Sequence, residues 1–275
     1  MFTVNNFVVA ISLEEAYTTL TKNKSNKILG GTLWMRMGSM NIHTAIDLGK
    51  LGLDQIIETE DSFEIGAMCT LRMLECHEGL KAYKGGIVAN CVKDIVGVQF
   101  RNGATIGGSI FSRFGFSDPL TALLALDTYV ELYKGGTISL EEFIKSPYEK
   151  DILVKIIIKK DTLPLYSGKG VYFTERLAHT DFPVLAIAVT QAEAGYKIAV
   201  GARPSKAALA HKAMTYINEQ VAFHKGEALS DEIITTCANK VVDELNFASN
   251  MRGSRVYREH LTAVLIKRAL IQLRG

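Results

Sequence analysis

The 275-residue chain contains four cysteines, Cys69, Cys76, Cys91 and Cys237, and no two of them form a CxxC pair. Zinc and iron–sulfur sites draw their ligands from close pairs on turns, so neither is expected on this chain. The four read as small buried or half-buried thiols of a reducing compartment. Six histidines (His43, His77, His179, His211, His224 and His260) show no HExxH or related spacing. Cys76 and His77 are adjacent, and on a helix their side chains would diverge by about 100°, poor geometry for one metal ion. Basic runs are also absent: the formal charge is +2, which gives nucleic acid no support as a partner. No segment offers the roughly 20 apolar residues of a membrane span. Residues 1–10 lack the basic and apolar stretches of a signal peptide, and a cytoplasmic location is the expectation. Two nucleotide signatures are missing as well, GxGxxG opening a helix and GxxxxGK[ST].

What is present is a composition of 48% hydrophobic and 22% charged residues, enough to bury a sizeable core in one large domain or two ordinary ones. The pattern begins with an apolar strand at 7–11. Ser12 and Glu15 then make a capping-box start for a helix to about 21. Short strands follow at 27–29 and 44–48, then a strand at 65–67, a helix over 70–79 and another over 87–96. Residues 101–118 read as a long loop interrupted by Thr105-Ile106. Asp118-Pro119 predicts a helix with the carboxylate at the N-cap and proline at the first turn. Strand 129–133, a Gly135-Gly136 turn, a Ser139/Glu142 capping box and the apolar strand 152–158 complete the first part. Beyond 162–168, where a domain boundary is expected, come strands at 171–174, 184–190 and 196–201. Helices over 204–218, 231–245 and 255–273 close the chain. The fold class is α+β: mixed sheets with helices first, then a small antiparallel sheet with three helices.

Two glycine stretches share one design. Leu29-Gly30-Gly31-Thr32 and Thr105-Ile106-Gly107-Gly108-Ser109 each place a glycine pair before a hydroxyl residue. Such pairs allow positive φ and close approach of a ligand, and successive N–H groups form concave anion sites. Facing each other, they can clasp a pyrophosphate without a lysine or a metal. Gly-Gly is also common in ordinary turns, and Gly85-Gly86 and Gly135-Gly136 read that way. Pattern alone stops at possible anion-binding loops.

The longer context carries a resemblance. Residues 101–109 (RNGATIGGS), eight intervening residues, and residues 118–127 (DPLTALLALD) resemble the FAD-binding medium subunit, or domain, of the xanthine dehydrogenase and carbon monoxide dehydrogenase family. Lys27-Ile28-Leu29-Gly30-Gly31-Thr32 is similar to that family's other phosphate loop. The stretch 251–258 (MRGSRVYR) before an apolar helix resembles its C-terminal domain.

The resemblance implies a vanillyl-alcohol-oxidase-type (PCMH-type) FAD-binding domain over 1–165, with subdomains about 1–55 and 56–165, and a C-terminal domain over 166–275. It implies that Leu29 to Thr32 and Thr105 to Ser109 hold the pyrophosphate, with Lys27, Ile28 and Leu33 beside them among the cofactor-binding residues. Asp118 would accept hydrogen bonds from ribityl or ribose hydroxyls, and Leu153 would lie near the isoalloxazine ring. It further implies an electron-transfer subunit of a molybdenum hydroxylase, partnered by a molybdopterin-binding large subunit and an iron–sulfur small subunit, with NAD+ or another acceptor. No catalytic residue is expected on this chain.

Departures from the family pattern are local. Leu33 and Trp34 stand where an acidic residue usually follows the first loop, and Ser109 stands where asparagine is usual. The positive residue often found after the Tyr-Phe pair is Thr174 here, with Arg176 two places on. Glu175, Arg176 and Asp181 read as solvated charges before domain-interface ions, and Phe114 and Phe116 as aromatics packed on their own domain before partners stacked on adenine or flavin. Two rival readings remain open: a free-standing FAD-dependent oxidoreductase of the same fold, and an interaction subunit that has lost FAD.

Overall fold

The computed structural model describes residues 1–161, 168–192, 195–224 and 228–274; the boundary expected near 162–168 falls largely outside them. The chain opens with β1 (Thr3–Val9), α1 (Leu13–Lys22), β2 (Lys27–Leu29) and β3 (Asn41–Asp47). These strands form a parallel sheet in the order β1-β3-β2. The capping box is realised: Ser12 Oγ accepts from the Glu15 amide at 3.1 Å, and Glu15 reaches back to the Ile11 amide at 2.8 Å. The inner face of α1, Ala16 and Leu20, is buried with Ile46, Leu48 and Ile152.

Next come β4 (Ile56–Glu58), β5 (Ser62–Gly66) and α2 (Leu71–Cys76). The helix expected over 70–79 breaks at His77, which is extended and caps α3 (Glu78–Ala82) through Nδ1, 3.3 Å from the Leu80 amide. Then α4 (Ile87–Val92) stops short of 96, where Val96 takes a positive φ of 51°. The expected long loop holds two helices, α5 (Val98–Gly103) and α6 (Ile106–Phe111), before α7 (Asp118–Leu124). The cap of α7 is Ser117, whose Oγ accepts from the Leu120 amide at 3.2 Å, so Asp118 is the first helical residue and not the N-cap. After it lie β6 (Thr128–Leu132), β7 (Gly136–Ser139), α8 (Leu140–Lys145) and β8 (Leu153–Lys159). β4 to β8 build an antiparallel sheet in the order β4-β5-β8-β6-β7. The first part therefore holds one parallel and one antiparallel sheet in place of mixed ones.

The last part contains β9 (Gly170–Arg176), β10 (Pro183–Ala192), β11 (Gly195–Gly201), β12 (Ala208–Leu209), α9 (His211–Phe223), α10 (Asp231–Glu244) and α11 (Arg255–Arg274). Its antiparallel sheet runs β12-β11-β10-β9. Helix α9 starts seven residues later than the pattern suggested, because 208–209 pair with β11 as a short strand. The three helices bury Ile217, Ile234, Cys237, Ile266 and Leu270 against Leu185, Ile187 and Ile198 of the sheet.

By their packing the residues fall into two units. One comprises 1–74, 97–112 and 128–159; the other comprises 75–96, 113–127 and 160–275. Among the described residues no helix is long and apolar enough to cross a membrane.

Candidate functional site

Both glycine stretches lie in the first unit, and they interlock. β2 carries Lys27, Ile28 and Leu29 alongside Ala45, Ile46 and Asp47 of β3, and the chain leaves the sheet at Gly30. A Cβ on Gly30 would stand 2.7 Å from Thr105 Oγ1, and a Cβ on Gly31 would coincide with the Gly103 carbonyl. Leu33 also packs close, with Cδ1 3.3 Å from the Cβ position of Gly103. None of Gly30, Gly31, Gly107 and Gly108 has a positive φ; Thr32 does, at 61°. The glycines thus serve close backbone approach, while the left-handed residue is a β-branched threonine, a conformation held only where the surroundings enforce it.

The two stretches differ in what their amides do. Among the described residues the amides of Gly31, Thr32 and Leu33 donate to no protein acceptor. The second stretch is the first turn of α6, not a loop after a strand. Its amides are engaged: Ile106 to Cys69 O and Gly107 to Ala67 O, both 2.9 Å, and Ser109 to Thr105 O at 3.2 Å. The Gly108 amide donates to Thr105 Oγ1 at 3.2 Å, and Ser109 Oγ donates to Thr105 O at 3.2 Å. Two successive stretches of open amides, as the pattern suggested, are therefore not present. The first loop presents open donors, and the second backs it with glycine surface and the Thr105 hydroxyl.

Leu153 begins β8 and is 5% exposed. The next residue, Val154, accepts from the Ala67 amide at 2.9 Å, and Ala67 in turn accepts from Gly107. The start of β8 is thus tied to the start of α6 through one residue.

Asp118 belongs to the second unit and is 4% exposed. Its Oδ1 accepts from the Tyr172 hydroxyl and, at 2.7 Å, from Arg176 Nη2. Burial raises the Asp118 carboxyl above the usual range, while the Arg176 guanidinium opposes that rise. Burial and the neighbouring carboxylate hold the Tyr172 hydroxyl well above its ordinary value, so it remains a donor. The expectation that Arg176 is a solvated charge fails, since its side chain is only 7% exposed and is paired with Asp118. Its Nη1 also donates to the Asp181 carbonyl. Neither Tyr172 nor Arg176 stood out beside Asp118 in the sequence, because they lie 54 and 58 residues downstream. Phe114 and Phe116 stack on each other at 5.0 Å, and Phe116 meets Phe182 edge-on at 4.7 Å, as expected of aromatics packed on their own domain.

Of the cysteines, Cys76 is exposed and the other three are buried. Among the described residues no group of three His, Cys, Asp or Glu side chains can hold a metal ion.

Comparison with known proteins gives these features a context. Residues 2–166 match the FAD binding domain in molybdopterin dehydrogenase, and residues 178–273 match the CO dehydrogenase flavoprotein C-terminal domain. The glyceraldehyde dehydrogenase medium chain of Sulfolobus acidocaldarius is 24% identical, with 96% of each chain covered. The nicotine 6-hydroxylase medium subunit of Paenarthrobacter nicotinovorans is 25% identical over 95% of this chain and 94% of that one. In fold, a chain of the carbon monoxide dehydrogenase of Hydrogenophaga pseudoflava superposes with a TM-score of 0.84 at 21% identity, covering 98% of this chain and 97% of that one. With the first of these family matches spanning more than half its length, the chain belongs to the FAD-binding medium-subunit family of the molybdenum hydroxylases.

Proposed function

We propose that this chain is the FAD-carrying electron-transfer subunit of a molybdenum-containing hydroxylase or dehydrogenase complex. The observation that carries the reading is the first glycine loop, whose three open amides at Gly31, Thr32 and Leu33 stand beside a backbone approached too closely for any side chain. Successive open amides next to a left-handed residue suit an anionic group such as a pyrophosphate. In this reading residues 1–165 are the cofactor domain and 166–275 the C-terminal domain. Lys27, Ile28 and Leu29 set the loop by their pairing in β2, and Gly30 to Leu33 supply its donors. Thr105 to Ser109 form the wall behind it, Asp118 serves the hydroxyls of the cofactor, and Leu153 gives apolar surface to its ring.

Bound FAD supplies electron-pair exchange with a nicotinamide and one-electron exchange with an iron–sulfur centre; the protein contributes position and electrostatics. The complex requires a molybdopterin-binding large subunit and an iron–sulfur small subunit, with NAD+ or another acceptor as the outlet for electrons. The names of the two medium-chain relatives support such an assembly. The organic substrate would be handled by the large subunit.

A fluorescence titration with FAD tests the loop. Gly31→Ala forces the two stretches apart and is expected to weaken FAD binding by more than about tenfold, a loss of at least ~1.4 kcal/mol. Thr32→Gly keeps every amide and relieves the left-handed strain, so it should bind FAD close to wild type while gaining up to roughly 1 kcal/mol in stability. Wild-type affinity in Gly31→Ala would remove the loop from the site.

A further inference from the structure

The edge of a sheet is open to a further strand, and proteins close it by shortness, charge or cover. Among the described residues β2, β4, β7 and β12 are edge strands of two to four residues. β9 is longer, but it is largely half-buried and carries Glu175 and Arg176. β1 has none of these protections. Its seven residues, Thr3–Val9, contain no charge and no proline, and Thr3 to Phe7 are all exposed. Its one strand neighbour among the described residues is β3. Alternate backbone N–H and C=O groups of β1 therefore point away from the sheet, unpaired by any strand. The surroundings are apolar. Phe7 is 58% exposed and Ile11 77%, and the exposed Met40 accepts from the Thr3 amide at 3.1 Å.

An uncharged edge suits an uncharged strand, and a second copy of the chain supplies one. Two copies of one edge pair antiparallel about a two-fold axis. Outward-pointing backbone groups recur at every second residue, so the axis passes through a residue rather than between two. With the axis at Asn6, the middle of the strand, Val4 lies opposite Val8 of the copy, Asn5 opposite Phe7 and Thr3 opposite Val9. Beyond the strand Met1 lies opposite Ile11. No charge is set against another, the valines meet each other, and a carboxamide, both donor and acceptor, can bond to its like. We infer that β1 is a self-association edge, on which a second copy of this chain pairs antiparallel about Asn6 and joins two three-stranded sheets into one. One pair of strands buries less than the roughly 800 Å² per partner of a stable complex, so the dimer is weak and forms at high chain concentration.

The test is the mass of the purified full chain, followed by sedimentation as its concentration is raised, with far-UV circular dichroism and the thermal midpoint recorded for each variant. Wild type should rise from the 30.2 kDa of one chain towards twice that value. Asn6→Lys sets lysine against lysine at the axis, and Asn6→Asp sets carboxylate against carboxylate. Each should weaken the dimer at least about fivefold, the scale of like charges held directly opposite each other. Mixed in equal amounts, the two variants should dimerise again, since lysine then meets aspartate. Both substitutions also give up the bond from Asn6 Nδ2 to the His43 carbonyl, 3.2 Å long. Asn6→Ala gives up the same bond without adding charge, and it should dimerise within about twofold of wild type.

A wild-type chain that keeps the mass of one copy at every concentration would overturn the inference. So would a dimer that Asn6→Lys and Asn6→Asp leave intact, because another surface would then hold it. Two folded variants that each weaken the dimer but fail to restore it on mixing would overturn the pairing about Asn6.

Discussion

Cys69 shows at the scale of one residue how burial changes chemistry. Fully buried beneath the start of α2, its thiol is pushed up to about 11, chiefly by desolvation, and Cys237 in the C-terminal core is pushed up to about 12 for the same reason. Below the unfolded value, near 9, both states hold the proton and the thiols contribute fully to stability. Above it the unfolded chain releases protons that the folded chain keeps. Stability then falls by about 1.4 kcal/mol per pH unit per thiol until the folded value is reached. Denaturant unfolding between pH 9 and 11 should show this decline, and Cys69→Ala should make it shallower by roughly one thiol's share. An unchanged slope in that variant would mean that Cys69 ionises in the folded chain as it does in the unfolded one. Single residues were unevenly legible in the sequence. The glycine pairs were visible, but their reason was not: they are needed for contacts with Gly103, Thr105 and Ala67, and the positive φ belongs to Thr32.

The elements follow local rules wherever the chain decides its own course, and depart from them where distant atoms intervene. Ser12/Glu15 and Ser139/Glu142 cap the helices they were expected to cap, because the capping hydrogen bond closes within four residues. At α7 two capping residues stand side by side, and Ser117 takes the cap while the Asp118 carboxylate turns to Tyr172 and Arg176. Helix α6 could not be read from composition, since two glycines are poor helix formers. It is held by bonds to the Cys69 and Ala67 carbonyls, residues almost forty positions earlier.

Arg258 on α11 shows the same long reach. It is fully buried and donates to the carbonyls of Val184 and Ala248, at 2.8 and 2.7 Å, and to Asn250 Oδ1 at 2.6 Å. It thus pins the 248–253 turn to β10 and α11. Arg258→Ala leaves the buried Val184 carbonyl without its donor and is expected to cost about 1–3 kcal/mol, measured as a lower denaturant midpoint. A change under about 1 kcal/mol would show that the turn is held by other contacts.

Over the whole molecule, α+β character and the antiparallel sheet with three helices were legible from periodicity and punctuation. The grouping of segments was not. Residues 75–96 and 113–127 pack with 160–275, while 97–112 between them packs with the N-terminal part, and a pass along the chain has no signal for such interleaving. Of the candidate site, residues 29–32 and 105–109 are legible in the sequence as similar loops. The structure separates their roles into open donors and a supporting wall.

The central claim is that this chain holds FAD, and an absorbance spectrum of the purified full chain, before and after addition of FAD and then of NADH without oxygen, tests it most directly. The account predicts flavin bands that stay with the protein through gel filtration, with bleaching by NADH if a nicotinamide is the electron acceptor. Retained bands that do not bleach would keep FAD and assign the outlet to another acceptor. A chain that stays colourless after FAD has been offered in excess would contradict the account.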